Sequence, residues 1–530
     1  MFYSPEHNCL VYKVDNPLAL MAAVPEARRI NGEHVAVPCS LENLQGLRRV
    51  ALSVPPPMEI DGYDWPIREP WTPLPHQQTT ANFLALNPKS FCFNDMGTMK
   101  TLSSLWAADY LIDLAAERRE PFRWLVVAPL SILKAVWGRA IFDHFIGRRS
   151  YAILHGGEEK RRKLLEKDVD FYVINPDGLR IGFPADRGKA LKGLAADLAR
   201  RTDIRGAIID EASAFRDGTT LRSRAARTLL GARQYLWLLT GTPTPNGPLD
   251  AFGLARLLGT TGGESFTAYK HRVMMQVGAW KWVPRVGAVD AASRMLSPSI
   301  RFDSAFLNLP PQTPEQRDVP FSPEQAKAYK TLKHEAVLAV KSGAIVHAVN
   351  EAALRMKLIQ VCCGAVYDTE HHSHDLNPAP RLAEVEAIIE ETTRKVVIFA
   401  PLTNVLNMLS SRLTKWRTAI VNGETKLADR GRIFREFGDS RTDLRVLLAD
   451  PGSVAHGVND LVAANVVIWY GGTDKSELYA QGNKRVDRPG QTHPSKVIQL
   501  VSSQVERDIY DRLERNASMQ GLILKFAEEP

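Results

Sequence analysis

The chain has 530 residues, too many for one hydrophobic core, and at roughly 150 residues per domain this length predicts three or four folded units. Its 45% hydrophobic and 24% charged residues are typical of a globular protein, and the net charge of +8 permits a polyanionic partner without requiring one. Five cysteines without a C-x-x-C pair argue against a disulfide framework and structural zinc. Because no apolar run reaches the roughly 18 residues of a membrane span and no signal-peptide pattern is present, we expect a cytoplasmic protein without a membrane partner.

Residues 1–55 are predicted to form a small α+β module. Apolar alternation indicates strands in CLVYKV and HVAVPC, and PLALMAAVPEA and SLENLQGLRRVAL have helical spacing. Asn31-Gly32 lies where a hairpin turn is expected, which gives the order β-α-β-β-α. Seven prolines between positions 55 and 75 then indicate an extended linker over 56–75.

Two α/β regions follow the linker. Over 76–258 the short apolar runs WLVVAPL, FYVIN, RGAIIDE and YLWLLTGTP end abruptly in polar, Pro or Gly residues, which is typical of buried parallel strands. RKVVIFAPL, DLRVLLADP and ANVVIWYGG repeat this rhythm over 381–515, and 516–530 is a tail. Residues 259–380 lose the strand rhythm and are predicted to be a helical insertion. The predicted fold class is α/β with two parallel-sheet lobes.

FCFNDMGTMKT, residues 91–101, is the first motif with chemical meaning. Lys100-Thr101 ends a G-x-x-x-x-G-K-[ST] phosphate-loop pattern, but Asn94 and Met99 occupy the two glycine positions. A strand, a turn and a helix beginning at Lys-Thr suit a phosphate, because backbone N–H groups, the helix dipole and the ammonium attract it, and the hydroxyl can bind Mg²⁺. An ordinary helix start is the alternative interpretation.

Further polar clusters follow later strands. Asp210-Glu211 in AIIDEASAF can hold Mg²⁺ and orient an attacking water, while the residues 240–243, TGTP, can couple a neighbouring carboxylate to a distant surface. In QGNKRVDRPGQ, residues 481–491, a helix would present Arg485 and Arg488 on one face, as arginine fingers for a triphosphate. Each cluster alone has an ordinary structural alternative: a strand end, a turn or a solvated basic helix.

From about residue 74 to about residue 515, the motifs together resemble the superfamily 2 helicase-like ATPases, most closely the Swi/Snf-type DNA translocases. PHQQTTANFL resembles the opening family segment, NDMGTMKT the D-E-M-G-x-G-K-T loop, and IIDEAS the D-E-A-H box with Ser213 in the histidine position. QGNKRVDRPGQ is similar to Q-A-x-x-R-x-x-R-x-G-Q, and WLVVAPLSILKAVW, VNGETKLADRGRIFREF and LLADPGSVAHGVND resemble three further family segments. The resemblance implies RecA-like lobes at 76–258, which binds ATP, and at 381–515.

The resemblance also implies residue roles. The implied catalytic residues are Lys100, Asp210, Glu211, Arg485 and Arg488. The implied nucleotide contacts are Gln77, Asp95, Met96, Gly97, Thr98, Met99, Lys100, Thr101, Gly457 and Gln481, with Thr101 and Asp210 holding Mg²⁺. The implied nucleic-acid contacts are Pro129, Leu130, Ser131, Pro401 and Ser453, and the coupling residues are Thr240, Gly241, Thr242 and Pro243. We further predict that Gly97 keeps the tight turn and that the Met99 side chain points away from the nucleotide.

The implied function is a monomeric, DNA-dependent ATPase that uses ATP and Mg²⁺ to remodel duplex or branched DNA by annealing, fork reversal or branch migration. A displacer of DNA-bound proteins such as RNA polymerase and an RNA helicase are the alternatives, and the short chain points to a bacterial or phage source. The N-terminal module is similar to the HARP-like recognition modules of annealing helicases. Its arginines at 28, 29, 48 and 49 are either a DNA contact or a solvated basic face.

Overall fold

The computed structural model describes residues 1–50, 52–186, 188–277, 282–341, 348–367, 373–454 and 460–525. The chain divides into two compact units. Lobe 1 comprises 1–244, 248–303 and the C-terminal residues from 523, and lobe 2 comprises 245–247 and 304–522. The prediction for Gly457 lies outside the described residues. Within the described ranges, no helix is long and apolar enough to cross a membrane.

The first 50 residues form an antiparallel sheet with two helices, which confirms the predicted α+β module. Its elements are β1 (Phe2–Ser4), β2 (Cys9–Lys13), α1 (Pro17–Ala23), β3 (Arg28–Arg29), β4 (His34–Pro38) and α2 (Leu41–Arg49). The strand order is β1-β2-β4-β3, so β1 adds one edge strand to the predicted β-α-β-β-α order. Asn31 shapes the β3–β4 turn, because its Oδ1 accepts hydrogen bonds from the backbone N–H groups of Glu33 and His34, at 3.1 and 3.0 Å.

The rest of lobe 1 is built on a seven-stranded parallel sheet of order β13-β5-β10-β9-β6-β8-β7. Its elements are α3 (Pro57–Ile60), α4 (Pro75–Leu86), β5 (Lys89–Cys92), α5 (Lys100–Glu117), β6 (Arg123–Val127), α6 (Arg139–His144), β7 (Tyr151–Leu154), α7 (Glu158–Leu165), β8 (Phe171–Ile174), α8 (Gly193–Arg200), β9 (Ile204–Asp210), α9 (Leu221–Leu230), β10 (Tyr235–Leu239), α10 (Asp250–Leu258), α11 (Phe266–Val273), β11 (Met274–Gln276), β12 (Trp282–Pro284), α12 (Ala288–Met295) and β13 (Ser299–Ile300). A π-helix over Leu133–Gly138 precedes α6.

The N-terminal module and lobe 1 share one hydrophobic core. Val35 and Leu44 of the module belong to the same buried cluster as Trp106 and Trp237. Gln45 crosses this boundary, because its side-chain N–H group donates to the Ala85 carbonyl at 2.8 Å and to the Tyr235 hydroxyl at 3.1 Å. The module is therefore packed against the rest of lobe 1.

The segment predicted as an extended linker lies along α5. Met58 in α3 is fully buried. Trp106 donates from Nε1 to the Pro66 carbonyl at 2.8 Å, and the Tyr63 hydroxyl donates to Asp109 at 2.6 Å. Asp109 is itself fully buried and pairs with Arg148, at 2.8 Å. The prolines prevent regular structure over most of this segment, but its side chains attach it firmly to α5.

Lobe 2 has a six-stranded parallel sheet of order β14-β21-β20-β17-β19-β18. Its elements are β14 (Gln312–Asp318), α13 (Pro323–Lys341), α14 (Ala348–Cys363), β15 (Ala365–Tyr367), β16 (Ser373–Asp375), α15 (Ala379–Glu390), β17 (Lys395–Phe399), α16 (Thr403–Arg412), β18 (Arg417–Val421), α17 (Leu427–Gly438), β19 (Leu444–Ala449), α18 (Pro451–Val454), β20 (Ala464–Trp469), α19 (Ser476–Asn483), β21 (Ser495–Val501) and α20 (Gln504–Lys525). Two parallel-sheet lobes confirm the predicted fold class.

Residues 259–380, predicted to be a helical insertion, are not wholly helical. Besides four helices among their described residues they supply β13, which pairs with β5, and β14, which pairs with β21. Both are edge strands, and the sequence of β14, QTPEQRD, is polar. Because an edge strand is only partly buried, it lacks the apolar run by which sequence patterns reveal a strand.

A buried ion pair fixes the middle of lobe 2. Arg381 is 1% exposed and Glu506 0%, and their side chains are 2.7 Å apart. The guanidinium also donates to the carbonyl oxygens of Leu500 at 2.8 Å and Cys362 at 2.9 Å. One side chain thus connects α15 with α14, β21 and α20.

Candidate functional site

The predicted phosphate loop lies between β5 and α5. Gly97 takes the left-handed region with φ 87°, as expected for a tight turn. Met99 also takes it, with φ 59° and ψ 40°, directly before α5 begins at Lys100. The Lys100 ammonium donates to the carbonyl oxygens of Asn94 at 2.7 Å and Asp95 at 3.0 Å. Two loop carbonyl oxygens therefore bind the Lys100 ammonium, although Met99 and not a glycine occupies the second glycine position.

Asn94, in the first glycine position, connects the loop to distant segments of lobe 1 through hydrogen bonds. It is fully buried, its Nδ2 donates to the Thr80 hydroxyl at 2.8 Å, and its Oδ1 accepts from the Phe302 N–H at 3.0 Å. The Asp95 N–H donates to the Phe302 carbonyl at 2.9 Å, and the Asp95 carboxylate lies 3.5 Å from Arg301. The sequence did not reveal these hydrogen bonds because their partners are far apart in the chain. Asn94 and Phe302 are separated by 208 positions.

Gln77, predicted to contact the nucleotide, lies in the first turn of α4. Its Oε1 accepts from the Leu74 N–H at 2.9 Å. Its Nε2 is buried and has no hydrogen-bond partner among the described residues. A buried amide donor without a partner costs free energy, on the order of 1–3 kcal/mol, unless a ligand accepts from it. The neighbouring His76 contacts the loop itself, with its Nε2 3.1 Å from the Thr98 carbonyl oxygen.

Asp210 and Glu211 follow β9 at the carboxyl edge of the sheet. β9 is flanked by β6 and β10, and β10 in turn pairs with β5, so the carboxylates and the phosphate loop share this edge. Burial raises the pKa of Asp210, and the Trp137 hydrogen bond and the positive charge of Lys100 partly offset that rise. Glu211 adopts φ 52° and ψ 52°, a left-handed conformation that is uncommon for a residue with a side chain.

Trp137 is a site residue that the sequence did not reveal. It is fully buried within the π-helix, and its Nε1 donates to the Asp210 carboxylate at 2.9 Å. The π-helix continues directly from the 3₁₀ turn Leu130–Ile132, which contains two of the predicted nucleic-acid contacts. Leu130 in that turn is 52% exposed, and Ser131 and the preceding Pro129 are half-buried. An indole donor at the end of WLVVAPLSILKAVW was the available signal.

The predicted coupling segment 240–243 lies against the phosphate loop. The Thr240 N–H donates to the Cys92 carbonyl at 3.0 Å. A Cβ placed on Gly241 would stand 3.6 Å from the Met96 side chain and 3.7 Å from the Asn94 carbonyl oxygen. The Thr242 hydroxyl is buried without a hydrogen-bond partner among the described residues. Residues 240–243 thus lie so close to the loop that a side chain at position 241 would be in van der Waals contact with it.

In lobe 2, the predicted helical face for Arg485 and Arg488 is wrong. α19 ends at Asn483, and both arginines lie in the turn that follows. They are nevertheless buried, at 5% and 8% exposure, and burial lowers the pKa of Arg488 to about 10. Gln491 holds the turn, because its amide donates to the carbonyls of Val486 at 3.1 Å and Ala464 at 2.8 Å. The Pro489-Gly490 pair that follows favours a turn over a helix at this point.

The predicted lobe 2 nucleic-acid contacts follow strands, and Gln481 lies in helix α19. Gln481 is fully buried in α19, and its Oε1 has no hydrogen-bond partner among the described residues. Ser453 lies in α18 after β19, where its hydroxyl donates to Asp450 at 3.0 Å, and Pro401 follows β17. Arg430, which the sequence did not single out, links Ser453 to residues 423–425 by donating to the carbonyls of Ser453 at 3.3 Å and Thr425 at 3.2 Å.

The family model of the SNF2-related domain matches residues 76–365, more than half of the chain. The model of the helicase conserved C-terminal domain matches residues 381–490. The chain therefore belongs to the SNF2-related family of helicase-like ATPases, and the sequence-based identification of that family is confirmed.

Individual relatives are distant. "Putative protein p41" of Acyrthosiphon pisum secondary endosymbiont phage 1 is 23% identical over 482 residues, covering 86% of this chain and 98% of that protein. The DNA repair protein RAD5 of Saccharomyces cerevisiae is 26% identical over 213 residues, which is 36% of this chain and 17% of RAD5. The solved Sulfolobus solfataricus SWI2/SNF2 ATPase core in complex with dsDNA is 20% identical, with 88% of this chain and 98% of that chain covered and a TM-score of 0.39.

The residues present fit a magnesium nucleotide. Thr101 and Asp210 offer a hydroxyl and a carboxylate, the hard oxygen ligands that Mg²⁺ prefers. The Lys100 ammonium suits a phosphate, and the Gln77 Nε2 group, which has no hydrogen-bond partner in the described part of the chain, suits a base acceptor. No group of three or more His, Cys, Asp or Glu side chains gathers as a metal site in the part of the chain that the structure describes.

Proposed function

We propose that this SNF2-family ATPase is a DNA-dependent translocase that uses ATP and Mg²⁺ to remodel duplex or branched DNA. The observation that carries the proposal is the convergence of Lys100, Asp210 and the 240–243 segment at one edge of the lobe 1 sheet. A cation, a carboxylate and a contacting segment that can sense their state are the parts that phosphoryl transfer requires. On this proposal residues 76–258 bind ATP, 381–515 complete the motor, and 1–55 recognise DNA.

Each residue of the phosphate loop would contribute a distinct interaction. The Lys100 ammonium would exchange its two carbonyl partners for phosphate oxygens, a stronger charge-assisted contact. The loop segment 95–99 would supply backbone N–H donors, and Gln77 would donate to the base. Mg²⁺, when bound, neutralises charge on the phosphates, and Thr101 with Asp210 would hold it.

Water activation and charge stabilisation fall to further side chains. Glu211, held beside Asp210, would orient the attacking water, while Trp137 keeps the Asp210 carboxylate in place. Arg485 and Arg488 would contribute positive charge toward the phosphates, and Gln481 would sense the nucleotide.

The DNA assignment is supported by membership of the SNF2-related family. In this chain the proposed contacts are Pro129, Leu130, Ser131, Pro401 and Ser453, all of which follow strands of the two sheets. The connection from residues 129–131 through the π-helix to Asp210 gives a direct route by which DNA contact would affect hydrolysis.

The decisive experiment is to measure ATP hydrolysis by the full chain with single-stranded, duplex, forked and four-way DNA and with RNA. We expect duplex or branched DNA to stimulate hydrolysis, and triplex displacement to show movement along duplex DNA. Stimulation by RNA alone would replace this proposal with an RNA helicase, and failure of every nucleic acid to stimulate would overturn it. Lys100→Ala should abolish hydrolysis and retain DNA binding, since Lys100 belongs to the nucleotide loop.

A further inference from the structure

Asn94 joins three segments of lobe 1 that are distant in the sequence. It follows β5 at the start of the phosphate loop, and its side chain is fully buried. Its Nδ2 group donates to the hydroxyl of Thr80 in α4 at 2.8 Å, and its Oδ1 accepts from the N–H group of Phe302 at 3.0 Å. The side chain therefore connects the loop both to α4 and to the segment that follows β13.

The hydrogen bonds at Thr80 have a fixed direction. The Thr80 hydroxyl donates its one proton to the His76 carbonyl at 2.7 Å, so toward Asn94 its oxygen acts as an acceptor. An asparagine amide supplies the donor that this oxygen needs, whereas an ionised aspartate, the first residue of the D-E-M-G-x-G-K-T loop, has none. A glycine at position 94 would supply neither side-chain hydrogen bond. The carboxamide at position 94 is thus matched to the hydroxyl at position 80.

The backbone on each side of Asn94 is also hydrogen-bonded. The Phe93 N–H donates to the Ile300 carbonyl at 2.8 Å, and the Asp95 N–H donates to the Phe302 carbonyl at 2.9 Å. These bonds continue the parallel pairing of β13 with β5 beyond the ends of both strands. Backbone and side-chain hydrogen bonds together therefore hold the start of the loop in one conformation.

Both glycine positions of the general phosphate loop are occupied here by residues with side chains, Asn94 and Met99. Glycine adopts more backbone conformations than any other residue, so a loop that contains it loses more conformational entropy when it becomes ordered. A loop with asparagine and methionine at these positions has fewer conformations to lose when phosphates bind. A binding loop that already has its bound shape gains affinity, because the cost of ordering it is smaller.

We propose that Asn94 is a positioning residue that holds the phosphate loop in its nucleotide-binding shape before ATP arrives. The inference rests on the proposed function, in which the loop and Lys100 bind the phosphates. Asn94 acts through the loop backbone, because its own side-chain groups are bonded to Thr80 and Phe302. The part of the nucleotide that depends on Asn94 is therefore the polyphosphate and not the base.

Asn94→Gly in the full chain tests this role, because it restores the general loop glycine and removes both side-chain hydrogen bonds. We expect KM for ATP to rise about 10-fold, since the loop must now be ordered on binding, with kcat at saturating ATP near the wild-type value. The inhibition constant of magnesium tripolyphosphate should rise by the same factor, whereas that of adenosine, which would contact Gln77 in α4, should not change. Without nucleotide, the amide hydrogens of residues 95–99 should exchange faster than in the wild type, and ATP should restore their protection.

Substitutions at Thr80 test the same hydrogen bond from the side of α4. Thr80→Val removes the hydroxyl that accepts from Asn94 and keeps the shape of the side chain, so we expect KM for ATP to rise about 3–5-fold. Thr80→Ser keeps the hydroxyl and should keep KM near the wild-type value. The matched control is Thr260→Val, which removes a hydroxyl that donates to the Met295 carbonyl at 2.8 Å and should leave KM unchanged. If Asn94→Gly does not fold, as circular dichroism would show, the two Thr80 variants decide the matter.

Three outcomes would overturn the positioning role. An unchanged KM in Asn94→Gly, or equal KM values in Thr80→Val and Thr80→Ser, would show that the loop does not depend on this hydrogen bond. Equal losses for adenosine and tripolyphosphate would show general damage to α4. A lower kcat with unchanged KM would place Asn94 in the chemical step instead. A wild-type chain that binds neither ATP nor tripolyphosphate contradicts the proposed function itself, and that result does not involve Asn94.

Discussion

The central cations of lobes 1 and 2 have different kinds of hydrogen-bond partner. Lys100 in lobe 1 is half-buried, and its ammonium donates to two neutral carbonyl oxygens. Arg381 in lobe 2 is almost wholly buried and meets the carboxylate of Glu506. A cation that contacts only carbonyls keeps its net charge for an incoming anion, whereas a buried cation with a buried carboxylate is neutralised. Whether a neighbouring carboxylate neutralises the cation therefore distinguishes a ligand-binding cation from a structural one.

The largest expected effect is on the stability of lobe 2. Arg381→Met leaves Glu506 buried without its partner, and breaking such a pair costs about 3–5 kcal/mol. We expect an earlier denaturant midpoint and faster hydrogen exchange of the β21 amides. Arg381→Met/Glu506→Gln should recover much of the loss, because no uncompensated charge remains. The exposed pair of Arg441 and Asp439 offers the control, and Arg441→Met should leave exchange unchanged.

Lys100→Met should show the reverse pattern. Because the hydrogen bonds of the ammonium among the described residues go to carbonyl oxygens and not to a buried carboxylate, we expect the unfolding midpoint to fall much less than in Arg381→Met. Loss of a positioned charge on the phosphates should lower the ATP hydrolysis rate by about 10²–10³-fold. Steady-state hydrolysis and denaturant unfolding on one preparation measure both quantities. A destabilised Lys100→Met protein with residual activity would break the comparison between the two cations.

Trp137→Phe tests the lobe 1 site through its carboxylate, Asp210. It removes one N–H donor to Asp210, and a hydrogen bond to a charged group contributes about 1.5–3 kcal/mol. We expect nucleotide to bind roughly 10–100-fold more weakly with Mg²⁺ present and unchanged without it, measured by titration calorimetry. Trp124→Phe is the matched control, because Trp124 is equally buried but its Nε1 has no partner among the described residues. Equal losses in both variants would indicate packing alone.

The smallest effect concerns the backbone of the phosphate loop. Met99 has φ 59°, which an unbranched side chain tolerates better than a β-branched one. Met99→Val should therefore lower the unfolding free energy by about 1 kcal/mol relative to Met99→Gly. Both should retain measurable hydrolysis if the side chain points away from the nucleotide, as predicted. Inactivity of Met99→Val combined with higher ATP affinity of Met99→Gly would place the side chain in the phosphate pocket.

The sequence was informative wherever a buried strand ran into polar residues. Apolar runs before Asp210 and Thr240 predicted the lobe 1 strands, and parallel pairing then placed the two clusters at one edge. The order of the motifs along the chain identified the family, because each motif also followed its expected element. Local pattern and chain order were sufficient for these features.

What the sequence missed depends on contacts between distant segments. Trp137 and Asp210 are separated by 73 positions, and no local pattern pairs an indole with a carboxylate. The same applies to Phe302 and the phosphate loop, since backbone pairing leaves no trace in side-chain type. The helix expected at Arg485 and Arg488 was wrong for a different reason: a spacing of three residues fits a turn as well as a helix.

The attachment of residues 57–66 to α5 changes how a shortened protein should be interpreted. Trp106, Asp109 and Tyr110 of α5 all hold this segment, through Pro66, Tyr63 and Asp61 respectively. Deleting the first 70 residues would uncover an apolar strip and a buried carboxylate on the same helix that starts at Lys100. Lost ATP hydrolysis in such a truncation would therefore report damage to that helix and not the removal of a recognition module. Point substitutions on the surface of the N-terminal module would test its role in recognition without damaging that helix.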